Sequence, residues 1–509
     1  MDRERRNRVE TALVVGLLAS ILPLCLYRLD IYPASWFDEG IVLQVPKNLV
    51  VHGEYAVMRL PQGLHKFDPA IQAGPTILLP IALLFRATGI GLLQARLVMV
   101  FYTVSALVIF YQLVREMYRP HTAFLALLLL IFTFDHEFTS FVFMGRQVLA
   151  EVPALAFFWL GTLLWLRAQR SSNWSRLVWS GILWGLAMLT KVQFALMVPA
   201  LLFLFWLFDR ISQERLQIHD VLVPVAVSGG CLLMWYGYQA LSLGFSDFFQ
   251  QTAALGSAGK SHFLSFSPRR TLGAISQLSG SSLVLFGLPG MLYSLGLGFQ
   301  RREEVRECQQ VFLVIFSAVW LSWYAFLSIG WMRYAFVPTA LSAMFSARLL
   351  GDLWDRPRQS RQALSRWLPL SPSQLAVGGM IILLILSGVT TLARHIVQSS
   401  DSGLQEFAEY LNTHVPTDVL IESWEWEVDL LTDHTYHHPP YEVTNAFTEH
   451  IWYGTSIPPG LYNPLAFRPA YLIVGRFAKW TGIYSATLSE QDCILVASIG
   501  EYDLYKVSP

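Results

Sequence analysis

The stretch TALVVGLLASILPLCLYRLDIYPASWFDEG, Thr11–Gly40, decides how this chain folds. Its first part, residues 11–29, is apolar over the length of a bilayer-crossing helix, which needs about 20 such residues. Its second part sets the pair Trp36-Phe37, then the adjacent carboxylates Asp38 and Glu39, where that helix must leave the hydrocarbon. Acids so close to lipid are costly to desolvate and therefore face water, a cation or a substrate. The plainer reading is that they favour the start of an interfacial helix. Gly40–Val50 has the pattern of such a helix, short and amphipathic, lying along the interface.

Upstream, the basic segment Met1–Arg8 precedes the first apolar run. A cleaved signal peptide is the rival reading, but no small-residue cleavage site precedes Tyr27-Arg28-Leu29-Asp30. The run reads as a retained first span that starts in the cytoplasm. Downstream lie further apolar runs at 74–92, 96–114, 121–134, 152–167, 174–189, 193–208, 221–243, 275–299, 310–329, 332–350 and 375–393. Four short basic connections follow some of them: Arg167/Arg170/Arg176, Arg210/Arg215, Arg301/Arg302/Arg306 and Arg348/Arg356/Arg358/Arg361/Arg366. The positive-inside rule makes these cytoplasmic, which puts loops 135–150, 190–192, 244–274 and 330–331 outside, with everything after residue 394. An inside start and an outside end require an odd number of crossings. Either one span is unseen, or one candidate between 74 and 134 enters without crossing.

Composition excludes a soluble enzyme: 54% of the 509 residues are hydrophobic and only 14% charged, against about a quarter in a globular chain. Formal net charge is zero and no basic stretch suits nucleic acid. Cys25, Cys231, Cys308 and Cys493 are scattered without metal-ligand spacing. The chain thus reads as a polytopic α-helical membrane protein of about 12–13 transmembrane helices in residues 1–394. Residues 30–73 form its first external loop, with a mixed-charge cluster of Arg59, His65, Lys66 and Asp68. After residue 395 the character changes. Leu404–Thr413 has helical apolar spacing, and Val419–Trp424, Tyr471–Gly475, Ile494–Ser498 and Tyr502–Val507 read as strands. Residues 395–509 therefore make a small extracytoplasmic α/β domain. Its His434, His437, His438 and His450 match no standard zinc spacing and read as surface histidines.

Four features together resemble a family. They are the Asp38-Glu39 pair in the first external loop; Gly145-Arg146-Gln147-Val148-Leu149-Ala150-Glu151-Val152-Pro153; the segment Gly185-Leu186-Ala187-Met188-Leu189-Thr190-Lys191; and many spans followed by an α/β tail. The chain resembles the integral-membrane, C-class glycosyltransferases, in particular the dolichyl-phosphate-mannose protein mannosyltransferase-like group (glycosyltransferase family 39), which includes the aminoarabinose transferase of lipid A. One departure is that Lys66-Phe67-Asp68-Pro69 stands where the lipid A enzyme has Glu-Lys-Pro.

The resemblance implies transfer of a sugar, with inversion, from a polyprenyl-phosphate donor to an acceptor hydroxyl on a protein, glycolipid or polysaccharide at the outer face of the plasma or inner membrane. Such a reaction needs a base for the acceptor proton, the role the family pattern gives Asp38. Glu39 is open to holding the acceptor, orienting Asp38 or ligating a divalent metal ion, if one is used, and Glu151 to supporting Asp38. The departing lipid phosphate needs cations. Arg146, Lys191 and Arg333 sit at outer helix ends, against the positive-inside bias, and Lys66 stands near the second run. For the first three the plainer role is snorkelling, and for Lys66 a place in a solvated loop. Asp135, His136 and Glu137 read as a solvated helix end, and loop 244–274, with Lys260, His262, Arg269 and Arg270, as a mobile cover. The alternative function is a membrane transporter or lipid flippase, and a weaker one a receptor. Transporters carry internal repeats or charges near the bilayer midplane, and neither is visible here.

Overall fold

The computed structural model describes residues 3–508 apart from 69, 72, 172, 213–215, 265, 302–303, 356–371, 399–401, 459 and 491–492. The readings for Pro69, Arg215, Arg302, Arg356, Arg358, Arg361 and Arg366, and for the side chains before Arg8 and of Lys260 and His262, fall outside what is described.

Backbone amides inside a bilayer must be satisfied within their own segment, so the apolar runs become helices. In chain order come α1 (Arg3–Leu26), α2 (Phe37–Val51), the hairpin β1 (Ala56–Arg59) and β2 (Gly63–Lys66), α3 (Pro75–Thr88), α4 (Leu92–Met117), α5 (Pro120–Phe132) and α6 (Phe141–Met144). Then follow α7 (Glu151–Ser171), α8 (Trp174–Thr190), α9 (Gln193–Ser212), α10 (Ile218–Leu243), α11 (Phe245–Phe263) and α12 (Pro268–Leu278). The last four are α13 (Leu288–Gln300), α14 (Val305–Phe326), α15 (Phe336–Asp355) and α16 (Pro372–Gln398). Eight helical stretches among the described residues are long and apolar enough to cross a membrane, and α3 and α5 are shorter apolar ones. This is an integral membrane protein.

Ion pairs define one face. Arg115 meets Glu10 of α1, Arg167 and Arg170 meet Glu116, Arg348 meets Glu307 and Asp352, and Arg119 meets Asp355. The start of α1 and the described basic connections therefore share an end of the bundle. At the other end, α3 settles the crossing count. Its first turn bonds the end of α8 through Gly74 N to Thr190 O at 3.1 Å and Thr76 to Thr190 at 2.6 Å. Three residues after α3, α4 begins, and Arg96 in its second turn holds Glu39. Helix α3 thus begins and ends on the same face, while α1, α4, α5, α7–α10 and α13–α16 run between faces. That odd count leaves the tail opposite the start of α1.

Small residues let the central helices touch. A Cβ on Gly185 would lie 2.7 Å from Cys231 Cβ, so this glycine of the Gly-Leu-Ala-Met-Leu-Thr-Lys segment serves the close approach of α8 to α10. Aromatic rings fill the adjoining core, with Phe158 stacked on Phe316 at 4.2 Å.

Loop 244–274, read from sequence as a cover, is helical over most of its length, as α11 and α12. Arg270 of α12 stacks on Tyr453 at 4.1 Å. Helix α2 differs from expectation. Every residue from Glu39 to Pro46 is buried, because α2 packs between α3 and the tail rather than along lipid.

The tail contains α17 (Leu404–His414), β3 (Leu420–Ser423), α18 (Trp426–Leu431), β4 (Thr435–His437), α19 (Tyr441–Tyr453), β5 (Tyr471–Val474), α20 (Arg476–Thr481), α21 (Ser485–Glu490), β6 (Cys493–Ile499) and β7 (Tyr502–Val507). The strands form one mixed sheet, β4-β3-β5-β7-β6, parallel among the first three and antiparallel beyond. Strand β4 escaped the sequence pattern because three residues are too few to alternate. His434, His437 and His438 are buried, not surface residues. Partners compensate their burial: Glu422 for His437 at 2.5 Å, Asp429 for His438 at 3.1 Å, and the Val415 carbonyl for His434 at 3.0 Å.

Candidate active site

Trp36, with extended backbone, ends the descent from α1 and starts α2, so Asp38 falls in the first helical turn. There its charge meets the positive end of the helix. Arg333 comes from a single 3-10 turn, Met332–Ala335, after Gly330, whose φ of +74° reverses the chain. Glu151 opens α7, and Lys191 follows the last residue of α8 with extended backbone.

These four side chains form one chain of charge. Arg333 Nη1 donates to Asp38 Oδ2, its Nε donates to Glu151 Oε1 at 2.6 Å, and its Nη2 donates to Glu151 Oε2 at 3.1 Å. Lys191 Nζ donates to the same Glu151 Oε1 at 2.6 Å. Three elements far apart in sequence thereby converge on the first turn of α2. Two acids and two bases cancel, which is what allows Glu151, Lys191 and Arg333 to be buried. Burial pushes the Asp38 carboxyl above its ordinary pKa; the charges of Arg333 and Lys191 pull it back, and that of Glu151 adds to the rise.

Asp38 is the member with access to space. A cavity of about 800 Å³ lies between it and the sheet domain. Its lower wall carries Trp36, Gln147, Trp331 and Tyr334. Trp36 donates to Gln147 Oε1 at 3.1 Å, and Arg333 stacks on Trp331 at 5.3 Å. Arg59 also faces the cavity. Asp68 holds its guanidinium from behind, and Trp426 lies against it at 5.5 Å. Burial would raise the Asp68 pKa, but hydrogen bonds from His65, Arg59 and the Ala70 amide hold it below its ordinary value.

The other expected site residues stand elsewhere. Glu39, one position on, turns into the protein and is fully buried. Arg96 takes both its oxygens, at 2.9 and 2.5 Å, and the Val148 amide donates to it at 2.9 Å. Those oxygens have no room for an acceptor or a cation. Asp38 is likewise occupied by Arg333, so the tandem acids do not fit a divalent metal. Among the described residues no three His, Cys, Asp or Glu side chains converge to hold one. Arg146 is buried, donating to the carbonyls of Leu24, Tyr27 and Tyr32, and so fastens the end of α1 rather than facing the cavity. Lys66 pairs with half-exposed Glu54 at 2.9 Å on the hairpin and does not line the cavity. Asp135 caps Ser282, while Glu137 reaches His395 at 3.1 Å on the cavity rim. Arg96 was missed, although a lone Arg inside an apolar run always demands a partner.

The architecture is that of ArnT. Its crystal structure from Cupriavidus metallidurans in the apo state aligns over 98% of this chain and 99% of that one, with a TM-score of 0.62 at 13% identity. The same enzyme bound to undecaprenyl phosphate aligns with a TM-score of 0.62 at 12% identity over the same shares. The oligosaccharyltransferase AglB from Archaeoglobus fulgidus, in complex with an inhibitory peptide and a dolichol-phosphate, gives 0.54 at 13% identity over 99% of this chain and 74% of that one. In sequence, the family model described as dolichyl-phosphate-mannose-protein mannosyltransferase matches residues 72–235. No curated protein sequence matches the chain. The chain therefore has the C-class membrane glycosyltransferase fold, and the matched segment contains Glu151, Arg146 and Lys191.

Proposed function

We propose that this protein is a membrane glycosyltransferase that moves a sugar from a polyprenyl-phosphate donor to an acceptor hydroxyl. The observation that carries the proposal is the placement of Asp38, tied through Arg333 to Glu151 and Lys191, on a cavity at one membrane face. The match over residues 72–235 and the fold shared with ArnT and AglB, whose structures hold polyprenyl phosphates, support it. That face is extracytoplasmic, supported by the basic connections gathered at the opposite end, and the membrane is the plasma or inner membrane, as the family resemblance implies.

Asp38 is the base. A carboxylate with raised proton affinity is better suited to accept the hydroxyl proton than an ordinary one. Arg333 is the hinge of the site, because its guanidinium can pass from Asp38 to an arriving donor phosphate, binding the leaving group and releasing the base together. Lys191 reinforces that charge, and Glu151 holds both cations in place as a positioning residue. Glu39, with Arg96, orients α2. Arg146 and Lys66 have no donor-binding role in this reading. Asp38→Asn tests it: in proteoliposomes with labelled polyprenyl-phosphate sugar, transfer should fall by about 10²–10⁴-fold while insertion is normal. Undiminished transfer by that variant would overturn it.

A further inference from the structure

Opposite Asp38, the cavity is walled by the sheet domain, chiefly by one face of α19. Tyr441, Thr444, Asn445, Thr448 and Trp452 recur every three or four residues there, the spacing that aligns side chains on one side of a helix. The stripe mixes hydroxyl and amide groups with ring faces. At its end, Trp452 lies 6.3 Å from Trp331, the ring on which Arg333 stacks, and 6.2 Å from Trp480 of α20. A molecule filling the space between stripe and base therefore meets flat aromatic surfaces beside the Asn445 amide, the Tyr441 phenol and the hydroxyl oxygens of Thr444 and Thr448, whose protons go to the helix carbonyls of Pro440 and Thr444 and whose lone pairs can accept.

A peptide would be recognised differently. Extended peptides bind by adding to a strand edge, where backbone groups pair. Among the described residues no strand of the five-stranded sheet lines this cavity, the hairpin contributes only Arg59 at the end of β1, and the backbone groups of α19 are bonded within the helix. Sugar rings present an apolar C–H face and a rim of hydroxyls, which matches ring faces flanked by Thr and Asn. The donor's lipid tail must remain in the bilayer, so the wall farther from the membrane is left to the other substrate.

We propose that the α19 face is an acceptor subsite for a carbohydrate, so that the acceptor is a glycan or a glycolipid headgroup rather than a polypeptide. This rests on the glycosyl-transfer reading above. The experiment incubates the full chain in proteoliposomes with envelope fractions of its own cells and radiolabelled polyprenyl-phosphate sugars. Label recovered in protease-resistant saccharide is the expected result; label released by protease as glycopeptide overturns the inference and leaves the glycosyl-transfer reading standing. If the wild-type protein consumes no donor, both readings fall together. In the active system, Asn445→Ala and Thr448→Val should each raise the acceptor KM about tenfold, the loss of about one hydrogen bond, with donor KM and kcat within about twofold. Trp452→Ala should raise it further. Variants that shift the donor KM while sparing that of the acceptor would give the stripe to the donor sugar and overturn the assignment.

Discussion

Two ion-pair systems stand back to back on α2, one residue apart. Asp38 opens on a cavity and shares Arg333 with Glu151 and Lys191, whereas Glu39 is sealed inside with Arg96. Both pair a carboxylate with an arginine. They differ in what else can reach them. Arg333 has two acids to choose between and a cavity beside it; Arg96 has Glu39 and the Leu29 carbonyl, and no space. A shared, accessible cation can change partners during a reaction, while a saturated, enclosed one can only hold structure.

Substitutions can break that contrast. The largest effect is expected from Asp38→Asn, a loss of about 10²–10⁴-fold in transfer, the range for a general base, with an unchanged elution profile in detergent. A structural role for Asp38 would show instead as aggregation with little change per folded molecule. Next is Glu39→Gln, which leaves Arg96 buried without its counter-charge. It should cost about 3–5 kcal/mol of stability, seen as a lower thermal midpoint, and Arg96→Met added to it should recover part of the loss. Activity of the surviving folded fraction should stay near normal.

Acidity sharpens the same contrast. Since burial raises the Asp38 pKa, the folded chain holds that proton between the ordinary carboxyl value and the raised one. Over that window its contribution to stability falls as pH rises, while the deprotonated base gains activity. The acid limb of kcat/KM should thus lie above the ordinary carboxylate range, and Asp38→Asn should gain stability relative to wild type on the alkaline side. A limb at the usual carboxylate position would contradict the assignment. The smallest effect is expected from Lys66→Ala. Its partner Glu54 is 40% exposed, so the pair is worth under about 1 kcal/mol, and transfer should remain within about twofold.

Much of the membrane part was legible because apolar length is a one-dimensional property. The runs reappear as helices, and even the surplus span was visible as a failure of parity, which α3 explains. The strands β3 and β5 to β7 and helix α17 announced themselves by local periodicity. The buried histidines did not, because burial depends on partners such as Glu422 and Asp429, brought close only by the sheet.

What the chain alone determined is which residues carry charge at the ends of apolar segments: Asp38, Glu39, Arg146, Glu151, Lys191 and Arg333. Only the tertiary structure decided which of these meet. Neighbouring residues on a helix point about 100° apart, so Asp38 and Glu39 fall on different faces of α2. Packing against α3, α4 and α18 then gave one of them a cavity and the other an arginine with no room to leave.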